Sequence, residues 1–272
     1  DNPKDSIVIG RGPSLKTHNH LEKLAKSNFD GIIICSDGVL KQALEAGVTP
    51  DKFPDFYVVT IDPGDRIYHF FDDPIVKKFG QKIKGIFSTI VDPKTLESAR
   101  NSGISIYWLH SLVDFSDGKK SFNQISALMT RAKNHVNGLP AIQTGGNVGT
   151  AAWFISWKIF KCSKICLIGI DHGWNETNSW DTIQSHGNAY DKIELDRNSP
   201  LFKKLFPKIY NPFFNCDCIL DPIFQYYRSA FLEFIVRSPE WLNTINATEG
   251  GSIFGNRIHC TTLDSVLDDR NI

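Results

Sequence analysis

Short apolar runs that stop on a glycine or an aspartate, each followed by a helical pattern, recur along this chain. Ile7-Val8-Ile9 stops at Gly10, residues 31–35 stop at Ser36-Asp37, and residues 56–61 stop at Asp62-Pro63-Gly64. Residues 86–91 and 104–109 supply two more runs, and residues 164–169 lead into Ile170-Asp171-His172. Runs this short and bounded by turn residues have the length of buried strands. Helical patterns fill the intervals at residues 15–26, 37–46, 93–101, 123–137 and 147–160. Neighbouring parallel strands need such crossovers, so the alternation predicts an α/β, Rossmann-like fold: a mostly parallel sheet with helices on both faces. Ligands of these sheets sit outside the carboxyl ends of the strands. The turns at Gly10, Ser36, Asp62 and Asp171 are therefore expected on one functional edge.

Residues 1–174 read as the nucleotide-binding core. Residues 175–221 are polar, aromatic and proline-bearing with weak periodicity, too long for an ordinary connection, and predict an irregular lid or small subdomain. Residues 222–272 add a helix at 222–236, a strand at 244–247 and a helix at 262–267, completing the core. The 272 residues are 41% hydrophobic, enough for one large core or two modest ones. Thirty basic residues balance thirty acidic ones, so no global field draws the chain to nucleic acid or an anionic membrane. No apolar run has the length of a transmembrane helix. Residues 1–6 are polar and the first apolar run stops at Gly10, so no secretory leader is expected and the compartment reads as cytoplasmic. A start at Asp1 is expected from trimming, or from a domain cut out of something longer. The six cysteines are scattered, and Cys216-Asp217-Cys218 lacks zinc-site spacing, which fits a reducing compartment.

Six motifs carry the candidate chemistry. In Gly10-Arg11-Gly12-Pro13-Ser14, glycines allow backbone amides to approach an anion, and a following helix adds positive charge. Ser14 is a cap or a phosphate donor; the third glycine of a dinucleotide fingerprint is missing. The plain alternative is a tight strand–helix turn. Ser36-Asp37 either caps a helix or touches a base or ribose. Asp62, with Asp65 close behind, suits a divalent metal such as magnesium, a ribose hydroxyl or a proton, against the alternative of a proline–glycine turn. Thr144-Gly145-Gly146-Asn147-Val148-Gly149 is a second anion loop, or a set of small residues for helix–sheet packing. Asp171 and His172 share a strand end and pair a carboxylate with an imidazole, the natural acid–base group near neutral pH; His186 competes for that role. In Asn246-Ala247-Thr248-Glu249-Gly250-Gly251-Ser252, Asn246 offers polar contacts and Glu249 an acid–base or sugar-binding carboxylate, unless the segment is simply a turn.

In their order along the chain, residues 10–15, Ser36-Asp37-Gly38, Pro54-Asp55, Thr60-Ile61-Asp62, residues 144–149, Gly169-Ile170-Asp171 and residues 246–251 resemble a known domain. It is shared by the motility accessory factor (Maf) flagellin glycosyltransferases and the archaeal 6-hydroxymethylpterin diphosphokinase (MptE-like) proteins. The Gly-Pro-Ser turn and Gly-Ile-Asp strand end are also distantly similar to Campylobacter-type sialyltransferases. The resemblance runs from about residue 5 to about residue 265 and is weakest in 175–221. It implies a nucleotide-dependent transferase. In the glycosyltransferase branch the donor is a nucleotide-activated sugar, with a CMP-linked nonulosonic acid favoured. Residues 10–14 and 144–149 then hold the nucleotide, and His172 or His186 deprotonates a glycan or protein acceptor. In the diphosphokinase branch ATP and magnesium modify a pterin alcohol, with Asp37 and Asp62 on the metal. The diphosphokinase pattern expects Asp-Leu-Asp at the third strand end, a His-rich Gly-Asp-Asn stretch and a late Asp-Gly-Asp. This chain has Thr60-Ile61-Asp62-Pro63 at the first place and lacks the other two, whereas residues 246–251 match the Maf side. The resemblance thus favours sugar transfer; a non-catalytic nucleotide- or glycan-binding domain is the remaining reading.

Overall fold

Ser6–Ile9, all four residues buried, form β1, the strand around which the sheet is arranged. The computed structural model describes residues 4–111, 116–117, 120–121, 141–186 and 196–268. Outward from β1 run β2 (Ile32–Ser36), β3 (Phe56–Thr60), β4 (Lys84–Ser88) and β5 (Ser105–Leu109), and two short strands, β6 (Ser116–Asp117) and β7 (Lys120–Ser121), pair apart from them. The chain then returns to the other side of β1 as β8 (Lys164–Ile168). An antiparallel pair, β9 (Lys208–Asn211) and β10 (Cys216–Ile219), precedes β11 (Asn243–Asn246) and β12 (Ile258–Cys260). The eight-stranded sheet has the order β12-β11-β8-β1-β2-β3-β4-β5, with every pairing parallel. The direction of winding reverses between β1 and β8, where Ile9 lies opposite Ile168. That reversal opens a crevice at the carboxyl ends of the two strands.

Ten helices accompany the sheet among the described residues: α1 (Ser14–Thr17), α2 (His20–Lys26), α3 (Leu40–Glu45), α4 (Pro74–Phe79), α5 (Pro93–Asn101), α6 (Val148–Phe154), α7 (Trp180–Ser185), α8 (Pro200–Leu205), α9 (Pro222–Arg237) and α10 (Leu263–Asp268). Strand side chains alternate between faces, so Ile7 and Ile9 enter one apolar cluster and Val8 the other. The first cluster takes Leu24, Leu40, Val76, Ala99 and Leu263 from α2, α3, α4, α5 and α10. The second takes Ala151 and Trp153 from α6 and Phe231 and Ile235 from α9. Residues 175–221 carry α7, α8 and the β9–β10 pair around a third small cluster of Ile183, Phe202, Phe206 and Ile219.

Several elements depart from expectation. The helix read over 15–26 is broken, because Asn19 takes a left-handed backbone (φ 52°) between α1 and α2. The segment read as helix from 37 begins as a 3-10 turn, Asp37–Val39. The helix expected to 160 is α-helical only to Phe154 and continues as a π-turn, Ile155–Ile159. α4, β12 and the β9–β10 pair were not anticipated. The helix read over 123–137 lies outside the described residues. Among the described residues, no helix is long and apolar enough to cross a membrane.

Trp153 links three elements. It is fully buried in α6, its indole N–H donates to Thr244 Oγ1 of β11 at 3.0 Å, and its ring meets Phe231 of α9 edge-on at 5.6 Å. Trp153→Ala is expected to cost about 3–5 kcal/mol, as other large-to-small core changes do. Urea unfolding reads this as a lower midpoint; an unchanged midpoint contradicts the packing described.

Candidate active site

The turns that follow β1 and β8 are joined atom to atom. The Gly10 amide donates to Ile168 O at 2.9 Å and the Gly12 amide to Gly169 O at 2.8 Å. A Cβ on Gly10 would lie 2.3 Å from Gly169 O, and one on Gly12 only 1.6 Å from Asp171 Oδ2. Ser14 donates its hydroxyl to Asp171 Oδ2 at 2.8 Å and its amide to Oδ1 at 3.4 Å. This corrects the expected amide cradle: the N–H groups of Gly10, Gly12 and Ser14 are committed to the chain itself. The glycines are required because two backbone turns approach each other and a buried carboxylate. Burial raises the Asp171 carboxyl to about 6, against the pull of the Ser14 hydrogen bonds.

Above this junction lies a cavity of about 640 Å³. Of the expected residues, Gly10, Gly12, Pro13, Ser36, Asp37, Asp62, Asn147, Asp171, His172 and His186 line it. Asp37 is buried at the end of β2, where it accepts the Thr60 hydroxyl at 2.5 Å and the Gly38 amide at 2.7 Å. Burial raises its carboxyl to about 6, with those hydrogen bonds pulling the other way. Asp62 is exposed and accepts the Gly64 amide at 2.8 Å; Asp65 is exposed and outside the lining. Among the described residues, no three His, Cys, Asp or Glu side chains gather as a metal-binding group. Arg11 is the one Lys or Arg among the described lining residues, its guanidinium 5.3 Å from the Phe70 ring centroid. Its place inside the Gly10–Ser14 motif was the available signal for this residue.

Asn147 caps α6, with Oδ1 accepting the Thr150 amide at 2.9 Å. Thr144, Gly145 and Gly146 stand behind it and do not line the cavity. Gly146 has φ 83° and faces α9, where a Cβ would lie 2.6 Å from the Tyr227 ring. For these glycines the packing alternative describes the geometry.

His172 also has a left-handed backbone (φ 40°) and is buried among Phe224, Tyr227 and Phe231, with ring centroids 6.0–6.2 Å away. Its Nδ1 has no hydrogen-bond partner, and burial lowers its pKa to about 4. The loop after β11 props it from behind. Ser252 donates its amide to Asp171 O at 2.8 Å and its hydroxyl to His172 O at 2.6 Å. Asn246 is fully buried and holds that loop, accepting the Thr248 amide and donating to Ile253 O, so it does not reach the cavity. Glu249 accepts from the Leu263 amide at 3.1 Å and pairs with His20 Nε2 at 3.0 Å. It lines a separate cavity of about 230 Å³ that also includes Ser14 and His18.

His186 is half-buried at the edge of the larger cavity, with Nδ1 2.5 Å from Asp221 Oδ2. The same oxygen accepts the Trp174 indole N–H at 2.6 Å, while Oδ1 accepts the Phe224 amide at 2.8 Å and caps α9. Burial pushes the Asp221 carboxyl up, but the hydrogen bonds from His186, the Phe224 amide and Trp174 outweigh it and hold the group below its ordinary value. Asp221 was not among the expected residues; its place just before Pro222 at a helix start carries no signal of a partner for a histidine. A bigger space, about 830 Å³, lies between Trp108, Phe154, Trp157 and Phe234. Its walls run up to residues 110 and 141, the margins of a stretch mostly outside the described residues, and its described lining residues include no carboxylate.

A parallel sheet reversing at β1/β8, with a polar cavity over the reversal, defines a Rossmann-like α/β protein. The profile of the family described as "6-hydroxymethylpterin diphosphokinase MptE-like" matches residues 1–177, and the chain belongs to that MptE-like family. A structure of a Maf glycosyltransferase from Magnetospirillum magneticum AMB-1 superposes with a TM-score of 0.65 at 15% identity. The match covers 97% of this chain and 34% of that one, so the chain spans about a third of that protein's length. At this identity the likeness is one of fold. The comparison with curated proteins returns no match.

Asp37 supplies a pH prediction. Its folded-state pKa, about 6, lies above the ordinary 3.8, so the protonated group supports the fold and that support is lost as pH rises between the two values. Asp37→Asn, which retains an acceptor for Gly38 and a polar group for Thr60, is expected to gain on the wild type over that interval by up to about 3 kcal/mol. Urea unfolding of both proteins at either end reads the change; a pH-independent difference contradicts it.

Proposed function

We propose that this chain is the donor-binding domain of a Maf-like glycosyltransferase and holds a nucleotide-activated sugar in the cavity over the β1/β8 reversal. The observation that carries this reading is the pairing of two groups in one cavity: the permanent cation Arg11, and the imidazole of His186 backed by the Asp221 carboxylate. Arg11 and the positive end of α6 at Asn147 suit a nucleotide phosphate. Asp37 and Ser36, at the end of the neighbouring strand, suit ribose hydroxyls. His186 takes the proton of an acceptor hydroxyl, whose oxygen attacks the anomeric carbon. The bond from that carbon to the phosphate oxygen breaks, and the electron pair leaves with the nucleotide beside Arg11. A CMP-linked nonulosonic acid is the donor this reading favours, with a glycan or protein as acceptor. The Maf protein with the matching fold, named as a glycosyltransferase, is consistent with it.

The family profile favours a second reading, diphosphoryl transfer from ATP to a pterin alcohol with magnesium on Asp37 and Asp62. The residues present do not fit that ion well. Both Asp37 oxygens already accept protein hydrogen bonds, and its burial favours the neutral carboxyl over the anion a metal needs.

Thermal denaturation with added ligands separates the readings. CMP is expected to stabilise the protein where ATP with magnesium does not; the reverse overturns the proposal. Arg11→Ala should weaken CMP binding by about tenfold or more, the worth of a hydrogen bond to a charged group. Equal affinities of variant and wild type by calorimetry would remove Arg11 from the site.

A further inference from the structure

We infer that Asp221 is a positioning residue that locks His186 in the Nδ1–H tautomer and so leaves Nε2 as the ring's free lone pair. The inference rests on the transferase reading for its purpose, and on hydrogen-bond geometry alone for its content.

Donors and acceptors around Asp221 leave one consistent assignment. Oδ1 accepts the Phe224 amide at 2.8 Å, and Oδ2 accepts the Trp174 indole at 2.6 Å. Both partners are donors only. A carboxylate holding such donors is ionised and has no proton to give, in keeping with a pKa below its ordinary value. The contact between Oδ2 and His186 Nδ1, at 2.5 Å, is therefore a hydrogen bond that the imidazole donates. In the neutral ring the lone pair then sits on Nε2, the opposite of the form free histidine prefers in water.

The surroundings make this a fixed arrangement. Asp221 is anchored as the cap of the long helix α9. Trp174 is held to β10 by a reciprocal pair of backbone hydrogen bonds with Ile219, at 2.8 and 2.9 Å. The His186 ring lies between Phe224, 4.5 Å away centroid to centroid, and Trp174, at 5.3 Å. His172 in the same cavity has nothing comparable on its Nδ1. His20 pairs with Glu249, but it is fully buried and lines neither cavity.

Nitrogen-15 NMR of the histidine-labelled full chain at pH about 9, above the ordinary imidazole range, reads the tautomer without substrate. The expected spectrum has His186 protonated at Nδ1 and bare at Nε2; an Nε2–H form or a rapid mixture overturns the inference. Asp221→Asn keeps a competent helix cap, but one neutral amide oxygen cannot serve three donors. In that variant the ring should revert to Nε2–H. For CMP release from CMP-N-acetylneuraminic acid, kcat should fall on the order of a hundredfold with KM little changed. An unaltered tautomer or an unaltered kcat overturns the inference. Trp174→Phe removes the competing indole donor and should leave Nδ1–H in place; a switch to Nε2–H there assigns the control to Trp174 and overturns it. Wild-type protein that shows Nδ1–H yet turns over no nucleotide donor supports the positioning role and overturns the transferase reading instead.

Discussion

The Asp171 carboxylate is buried where the turn after β1 meets the turn after β8, closed against Gly12 and held by both donors of Ser14. Two strands in the middle of a parallel sheet share no local turn, so only long-range contacts set how their ends sit. Here the contacts are the two backbone hydrogen bonds from Gly10 and Gly12 and this one acidic side chain. A buried carboxyl with paired oxygens is tolerated where an unpaired one is not. Removing the Ser14 donors would leave Asp171 without compensation, and a Cβ on Gly12 would displace it. From this junction the chain sets the floor of the cavity, and the Asn246–Ser252 loop braces it from below.

On that floor the polar groups divide by role. Asp171, Asn246, Asn147 and Glu249 each bind backbone amides or a short-range partner and define loop shape. Arg11 and His186 stand at the cavity surface. The aromatic side chains of α9 link the two groups of residues, since Tyr227 packs on Gly146, Phe224 on His186 and Phe231 on His172. A single helix therefore touches the glycine loop before α6 and both candidate histidines.

Much of the fold was legible because strands buried on both faces read as uninterrupted apolar runs; Ile32–Ser36 is one such strand. β12 was not legible, being three residues with His259 in the middle and exposed. The break at Asn19 was missed because its left-handed conformation competes with an otherwise helical pattern. The placement of the candidate residues was legible too, since Gly10, Asp37, Asp62 and Asp171 do follow strand ends along one edge. The purpose of its glycines was not. A glycine that lets backbone meet phosphate and one that lets backbone meet backbone look the same in sequence; Gly10 is of the second kind, and Gly12 also makes room for the Asp171 carboxyl. Nor does the sequence join His186 to Asp221, 35 positions apart and brought together only by α9 and the β10 bridge to Trp174.

A crystal structure of the full chain grown with CMP shows directly which cavity takes the nucleotide. The phosphate is expected beside the Arg11 guanidinium and the ribose against Ser36 and Asp37, over the β1/β8 reversal. A nucleotide seated between Trp108 and Trp157, or beside Glu249 and His18, would contradict it.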